Sequence, residues 1–310
     1  MLAFPAWVLL VVPMSISVLL ARIFVYWSDA KVFERGWTSH DIFRLALWRT
    51  LSSTVPLLIF AIGIDALSAK SALGLLWMCC AGATALLATA RLRTTEGINF
   101  RAVKSGELYK RTRVMSKRMG VRLRRVCVVP FGKGRLTNAY NRWDEIAITD
   151  DYGHWLHGAE LDFVIGHELT HAKQKHGLKT LLVMTGVFAM LAALAFALPQ
   201  MSIGWRVAFN FVLILLPVAV IDGLSRYFEY AADRASVAFT GAAEAAIRAL
   251  MNMYRHAEVP LENSGLEELL STHPGLWRRV RAISEAAQIS AEQVCRLRGD
   301  FSKSAAGGQS

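Results

Sequence analysis

Cysteine and acidic residues are both scarce in this chain. Its 310 residues hold four cysteines, Cys79, Cys80, Cys127 and Cys295, with no CxxC pair, so no disulfide framework is encoded and a reducing compartment suits it. Only 19% of residues are charged, and 24 acidic against 35 basic side chains leave a formal net charge of +11. No recognisable nucleic-acid-binding module accompanies that excess, so no nucleic-acid partner is expected. The chain has no internal repeat. The first apolar run lacks a basic leader and a small-residue cleavage pattern before Arg22, so it reads as a retained anchor rather than a cleaved signal. No acid lies midway along an apolar run, since Asp65 and Asp222 fall at run ends; this argues against a transporter or channel.

Apolar length is abundant. Hydrophobic residues make up 54% of the chain and the mean hydropathy is +0.34. They gather into Leu2–Tyr26, Thr50–Ile64, Ala72–Ala90, Leu178–Leu198 and Trp205–Leu224, each near or approaching the roughly 20 residues that cross hydrocarbon. Five spans are expected, with a re-entrant or tilted segment as the alternative for the short Thr50–Ile64. Arg22, Lys31, Arg35, Arg44 and Arg49 flank the first loop, and Arg91, Arg93, Arg101 and Lys104 follow the third run. The connectors Asp65–Ser71 and Pro199–Gly204 carry one lysine between them. The expected topology is a multi-pass membrane protein, with its soluble parts cytosolic and its N-terminus outside. The basic tract Lys104–Arg125 then faces anionic lipid.

The segments expected are an N-terminal membrane region over 1–93, a first cytosolic half over 94–177, a membrane hairpin over 178–224, a second cytosolic half over 225–300 and a disordered tail over 301–310. Within the first half, Glu107–Met119 places Leu108, Met115 and Met119 on one face of an amphipathic helix near the bilayer surface, stopped by Gly120. The stretch VRLRRVCVVP alternates and then turns apolar, as a strand does, and a strand pair is expected across RLTNAYNRWDEIAITDD.

Chemistry concentrates in HELTH, residues 167–171. Four residues is about one helical turn, so His167 and His171 project from one face and Glu168 lies about 100° to the side. Two neutral imidazoles bind zinc, and an adjacent carboxylate deprotonates a water. Chance produces HExxH in about one chain in a hundred of this length and histidine content. A third ligand is still needed. Gln174 and Gly177 occupy the positions where a metzincin carries glycine and histidine. His176 lies about 180° round a continuous helix from His167, which makes it an exposed interfacial residue. His154 and His157 lack a completing Cys, Asp or Glu and read as an exposed loop and helix start. The sequence EYAAD offers Glu229 as a ligand, with Asp233 one turn later to accept a proton from a ligating imidazole. An out-and-back membrane hairpin between His171 and Glu229 would return both to one membrane face.

HELTH, a two-span hairpin, SRYFEYAAD and STHPGLWRRV, in that order, resemble the membrane zinc metalloproteases of the HtpX and CaaX prenyl endopeptidase superfamily. The resemblance covers roughly Gly106–Ile283, and LTNAYNRWDEIAIT is similar to that family's Asn-Ala-aromatic strand. It departs in two places: three runs precede the protease region where HtpX-type proteins usually have two, and NAYNRW stands in place of NAFATG.

The resemblance implies a mostly helical membrane protein with a small β-sheet and a gluzincin-type domain interrupted by a transmembrane hairpin. It implies one zinc ion per chain held by His167, His171 and Glu229, Glu168 as general base and acid, and Asp233 behind a ligand. It also places Asn138, Ala139 and Tyr140 on an edge strand for pairing with substrate. His273 and Arg279 would stabilise the oxyanion or grip the substrate; Arg279 is chosen over Arg278 on family spacing alone. The expected activity is zinc-dependent cleavage of membrane-associated or misfolded membrane proteins or peptides at the cytosolic face. A CaaX-type prenyl endopeptidase and a non-catalytic zinc scaffold are the alternatives, and oligomeric state is left open.

Overall fold

A computed structural model describes residues 6–32, 38–68, 100–129, 139–142, 144–149, 152–197, 202–256, 271 and 273–307, with isolated positions between 73 and 84. The third apolar run, Ala72–Ala90, lies mostly outside the described residues. The chain divides into two compact units. One comprises Met1–Ile98, Gly132–Gly134 and Val183–Val218, and the other Asn99–Phe131, Arg135–Leu182 and Ala219–Ser310.

The first unit is helical. Helix α1 (Ala6–Val32) packs against α2 (Ser39–Ser68). Along α1, Val12, Ile16, Leu20 and Phe24 are four residues apart on one face, and all are exposed, a stripe that suits lipid rather than water. Helix α2 is 30 residues long, so the short run Thr50–Ile64 is only part of a helix with ample length to span. It starts at a reciprocal cap: the Thr38 hydroxyl donates to the Asp41 carboxylate at 2.7 Å, and the Asp41 amide donates to Thr38 Oγ1 at 3.2 Å.

Two described helices contain stretches long and apolar enough to cross a membrane, Ser39–Phe60 in α2 and His176–Leu194 in α6 (His176–Ala197). Within the first unit, Phe60 of α2 meets Phe188 of α6 edge to face at 4.9 Å, with Leu191 beside them.

The second unit contains the sheet, in the order β1-β2-β4-β3. Strands β1 (Arg101–Val103) and β2 (Arg125–Val129) are antiparallel; β2 runs parallel to β4 (Glu145–Thr149), which forms a tight hairpin with β3 (Ala139–Arg142). The three-residue β1 was too short to show a period. Strand β4 is buried throughout, and its Glu145 carboxylate accepts from Arg124 and Arg125. Strand β3 is an edge.

Helix α3 (Glu107–Met119) ends at Gly120, whose φ of 70° permits the turn. Met115 and Met119 enter the core with Ile146, Phe163 and Leu169. The apolar face expected at the bilayer is therefore covered by protein. Short α4 (Tyr152–Trp155) leads into α5 (Gly158–Lys173), which packs against α3, β3 and α8 (Ala243–His256). Helix α7 (Ile203–Thr240) re-enters this unit at Ala219. Helices α9 (Leu276–Ala287) and α10 (Ala291–Gly307) follow, α10 continuing into the stretch whose glycine and serine content suggested disorder.

Candidate metal centre

Helix α5 carries His167 and His171, and α7 carries Glu229 and Asp233. The two helices meet where α5 has no side chain. A Cβ at Gly166 would lie 2.5 Å from Ser236 Oγ, which donates to the Phe163 carbonyl at 2.7 Å. Glycine at 166 thus allows the approach that sets His167 opposite Glu229.

His167 Nε2 lies 3.1 Å from His171 Nε2 and 3.5 Å from Glu229 Oε2, while His171 Nε2 lies 3.6 Å from Glu229 Oε1. Donors at zinc–nitrogen and zinc–oxygen distances on a tetrahedron stand about 3.3–3.4 Å apart. The three side chains therefore fit a zinc ion in both spacing and chemistry, and His167 and Glu229 are buried.

Behind this face, Asp233 is fully buried and accepts three hydrogen bonds: from His167 Nδ1 at 2.9 Å, Arg279 Nε at 2.8 Å and Arg279 Nη2 at 2.7 Å. The bond to Nδ1 turns Nε2 of His167 towards the other donors. Burial pushes the Asp233 carboxyl up, but Arg279 and His167 outweigh it and hold it below the usual carboxylate range. Burial likewise disfavours charge on Glu229, yet His167, His273 and Arg279 keep it ionised well below that range. For His167, burial favours the neutral ring, but Asp233 and Glu229 prevail and raise its pKa. His171 is pushed down to about 3, chiefly by burial and then by His167. Glu168 is pushed up to about 7 by burial, with Glu229 adding to the effect.

His273 is exposed, with Nδ1 3.4 Å from Glu229 Oε2. Its loop is held by Arg226 Nη1 donating to the Ser271 carbonyl at 2.7 Å and by Tyr254 Oη donating to the Pro274 carbonyl at 2.6 Å. Arg279 is buried, with Nη1 3.4 Å from Glu229 Oε2, whereas Arg278 is exposed. Two Arg279 N–H groups thus face Asp233, an engagement that the expectation of an oxyanion or substrate contact did not include. Ala139 and Tyr140 lie on edge strand β3; Asn138 lies outside the described residues. Asn141, which sequence reasoning missed, fastens that edge to α5 by donating from Nδ2 to the Glu168 carbonyl at 2.9 Å.

His176 departs from its expected place. It is buried, and its Nδ1 lies 2.8 Å from His171 Nδ1. The continuous helix behind the 180° estimate does not exist: α5 ends at Lys173, and Lys175 at φ 52° redirects the chain before α6 begins. His157, by contrast, is exposed at the start of α5.

Residues 102–287 match peptidase family M48. The chain belongs to peptidase family M48. It is thereby placed among metalloproteases. A protease HtpX homolog from Moorella thermoacetica is 31% identical to this M48 chain over 212 residues, covering 54% of this chain and 68% of the relative. A second, from Lactobacillus helveticus, is 27% identical over 203 residues, covering 52% and 67%. The crystal structure of S. mikatae Ste24p shares the fold at a TM-score of 0.54 with 17% identity, over 77% of this chain. The M48 chain spans 64% of that protein's length.

Proposed function

We propose that this protein is a membrane-embedded zinc endopeptidase of HtpX type, cleaving membrane-associated or misfolded membrane proteins at the cytosolic face. The observation that carries the reading is the convergence of His167, His171 and Glu229 from two helices, one followed after a short turn by the apolar stretch His176–Leu194 and the other continuing out of an apolar run.

Those three residues would hold one zinc ion, which when bound polarises a scissile carbonyl and acidifies water. Glu168, raised to about 7, is poised to take the proton of the attacking water and return it to the leaving amine. Asp233 orients His167 and Arg279 neutralises Asp233. His273 stands at the exposed side of Glu229, where it can donate to the developing oxyanion. Ala139 and Tyr140 offer edge-strand backbone to an extended substrate, and Asn138, which precedes them in sequence, is assigned to the same substrate contact.

The test uses the full chain in proteoliposomes with a membrane-anchored, unfolded reporter. Glu168→Gln should retain zinc and lose cleavage by about 100-fold or more. Cleavage confined to freely soluble peptides would refute the membrane-substrate reading. A CaaX-type endopeptidase would use the same residues, and a strict requirement for a prenylated C-terminal peptide would favour it. Zinc binding without turnover in the wild type would leave a scaffold.

A further inference from the structure

His176 is buried close to the metal site without belonging to the ligand set. Its Nε2 lies 2.9 Å from Gln174 Oε1, and its Nδ1 lies 2.8 Å from His171 Nδ1. A carbonyl oxygen only accepts, so the Gln174 contact requires a proton on His176 Nε2. In the neutral ring that leaves Nδ1 as an acceptor, and the nitrogen it faces, His171 Nδ1, must carry the proton. His171 is therefore protonated at Nδ1 and bare at Nε2, the nitrogen 3.6 Å from Glu229.

We propose that His176, oriented by Gln174, is the positioning residue for His171, selecting the tautomer whose Nε2 can ligate a metal. It does for the second histidine of HELTH what Asp233 does for the first. Two further observations support a built arrangement. Lys175 holds a left-handed backbone at φ 52° without being glycine, a conformation L side chains rarely adopt, and this is what brings the ring back towards His171. The ring is also clamped flat on Phe228, with centroids 4.0 Å apart and planes 7° from parallel. Phe228 immediately precedes Glu229, so one stretch of α7 both fixes the positioning ring and supplies the third donor.

The inference rests on the metal-site reading, and the experiment separates the two. Zinc affinity of the full chain in detergent is measured by chelator competition, alongside thermal unfolding of the zinc-free protein. His176→Phe retains a ring to stack on Phe228 but removes the acceptor; His176→Asn places an amide oxygen near the position of Nδ1. His176→Phe should bind zinc about 10–100-fold more weakly than wild type, at an unchanged zinc-free unfolding temperature, and His176→Asn should recover most of that loss. Equal zinc affinity for wild type and His176→Phe overturns the inference, as does a loss that His176→Asn shares in full. If the wild type binds zinc no better than His167→Ala, the metal-site reading itself fails.

Discussion

Replacing Arg279 by methionine separates two roles for that side chain. In the native protein its guanidinium makes two hydrogen bonds, at 2.7 and 2.8 Å, to an Asp233 carboxylate with no solvent exposure, and it stands 3.4 Å from Glu229. Methionine approximates the volume and deletes the charge, leaving a buried carboxylate with His167 as its remaining partner. Removing one member of a buried ion pair costs about 3–5 kcal/mol. At roughly 2–4 °C per kcal/mol for a domain of this size, Arg279→Met should lower the zinc-free unfolding midpoint by roughly 6–20 °C at neutral pH.

The pH dependence of that deficit has a definite sign. The folded Asp233 pKa is depressed in the wild type, so its stabilisation is present above the unfolded value and lost as pH falls through the folded one. Without Arg279, burial dominates and the folded pKa rises, so protonation relieves the variant and its deficit should shrink between pH 8 and pH 5. Adding Asp233→Asn should restore much of the midpoint, because both charges are then gone. Thermal unfolding in detergent, followed by circular dichroism across that range, measures all three proteins. An Arg279→Met protein as stable as wild type, with normal zinc affinity and only kcat reduced, would refute the positioning role and assign Arg279 to the substrate.

Gly166→Ala should force Ser236 off the Phe163 carbonyl, losing a buried hydrogen bond worth about 1–3 kcal/mol while gaining about 1 kcal/mol of helix propensity. The net effect is a modest destabilisation that Ser236→Ala partly relieves; equal unfolding midpoints for the single and double variants would show that the helices do not meet tightly there. Zinc affinity should fall as the pH drops, approaching tenfold per unit below the raised pKa of His167, because that ring must release one proton, whereas His171 stays neutral down to about 3. A hundredfold fall per unit in a zinc titration series would mean that both imidazoles are protonated in that range.

What could be read from the sequence was whatever local geometry decides. The i, i+4 pairing of His167 and His171 follows from helical periodicity, the stop of α3 from Gly120, and β2 from the alternation in VRLRRVCVVP, with a strand pair expected across the segment that forms β3 and β4. Glu229 was also within reach, because the intervening apolar runs have the length to go out and back. The side to which a residue turns within a packed domain was not. Arg278 and Arg279 differ by about 100° of helix rotation; family spacing pointed to Arg279, but its burial beside Asp233 is visible only in the packed domain. Nothing in the string marks Lys175 as left-handed, so the helix projection carried His176 to the wrong side; the meeting of Gly166 with Ser236 joins residues 70 apart in sequence. The sequence by itself determined the donor types and their helical phase, because these depend on neighbours one turn away. The tertiary structure decided how each imidazole is oriented and each buried charge neutralised, because those contacts join helices that sequence spacing cannot bring together.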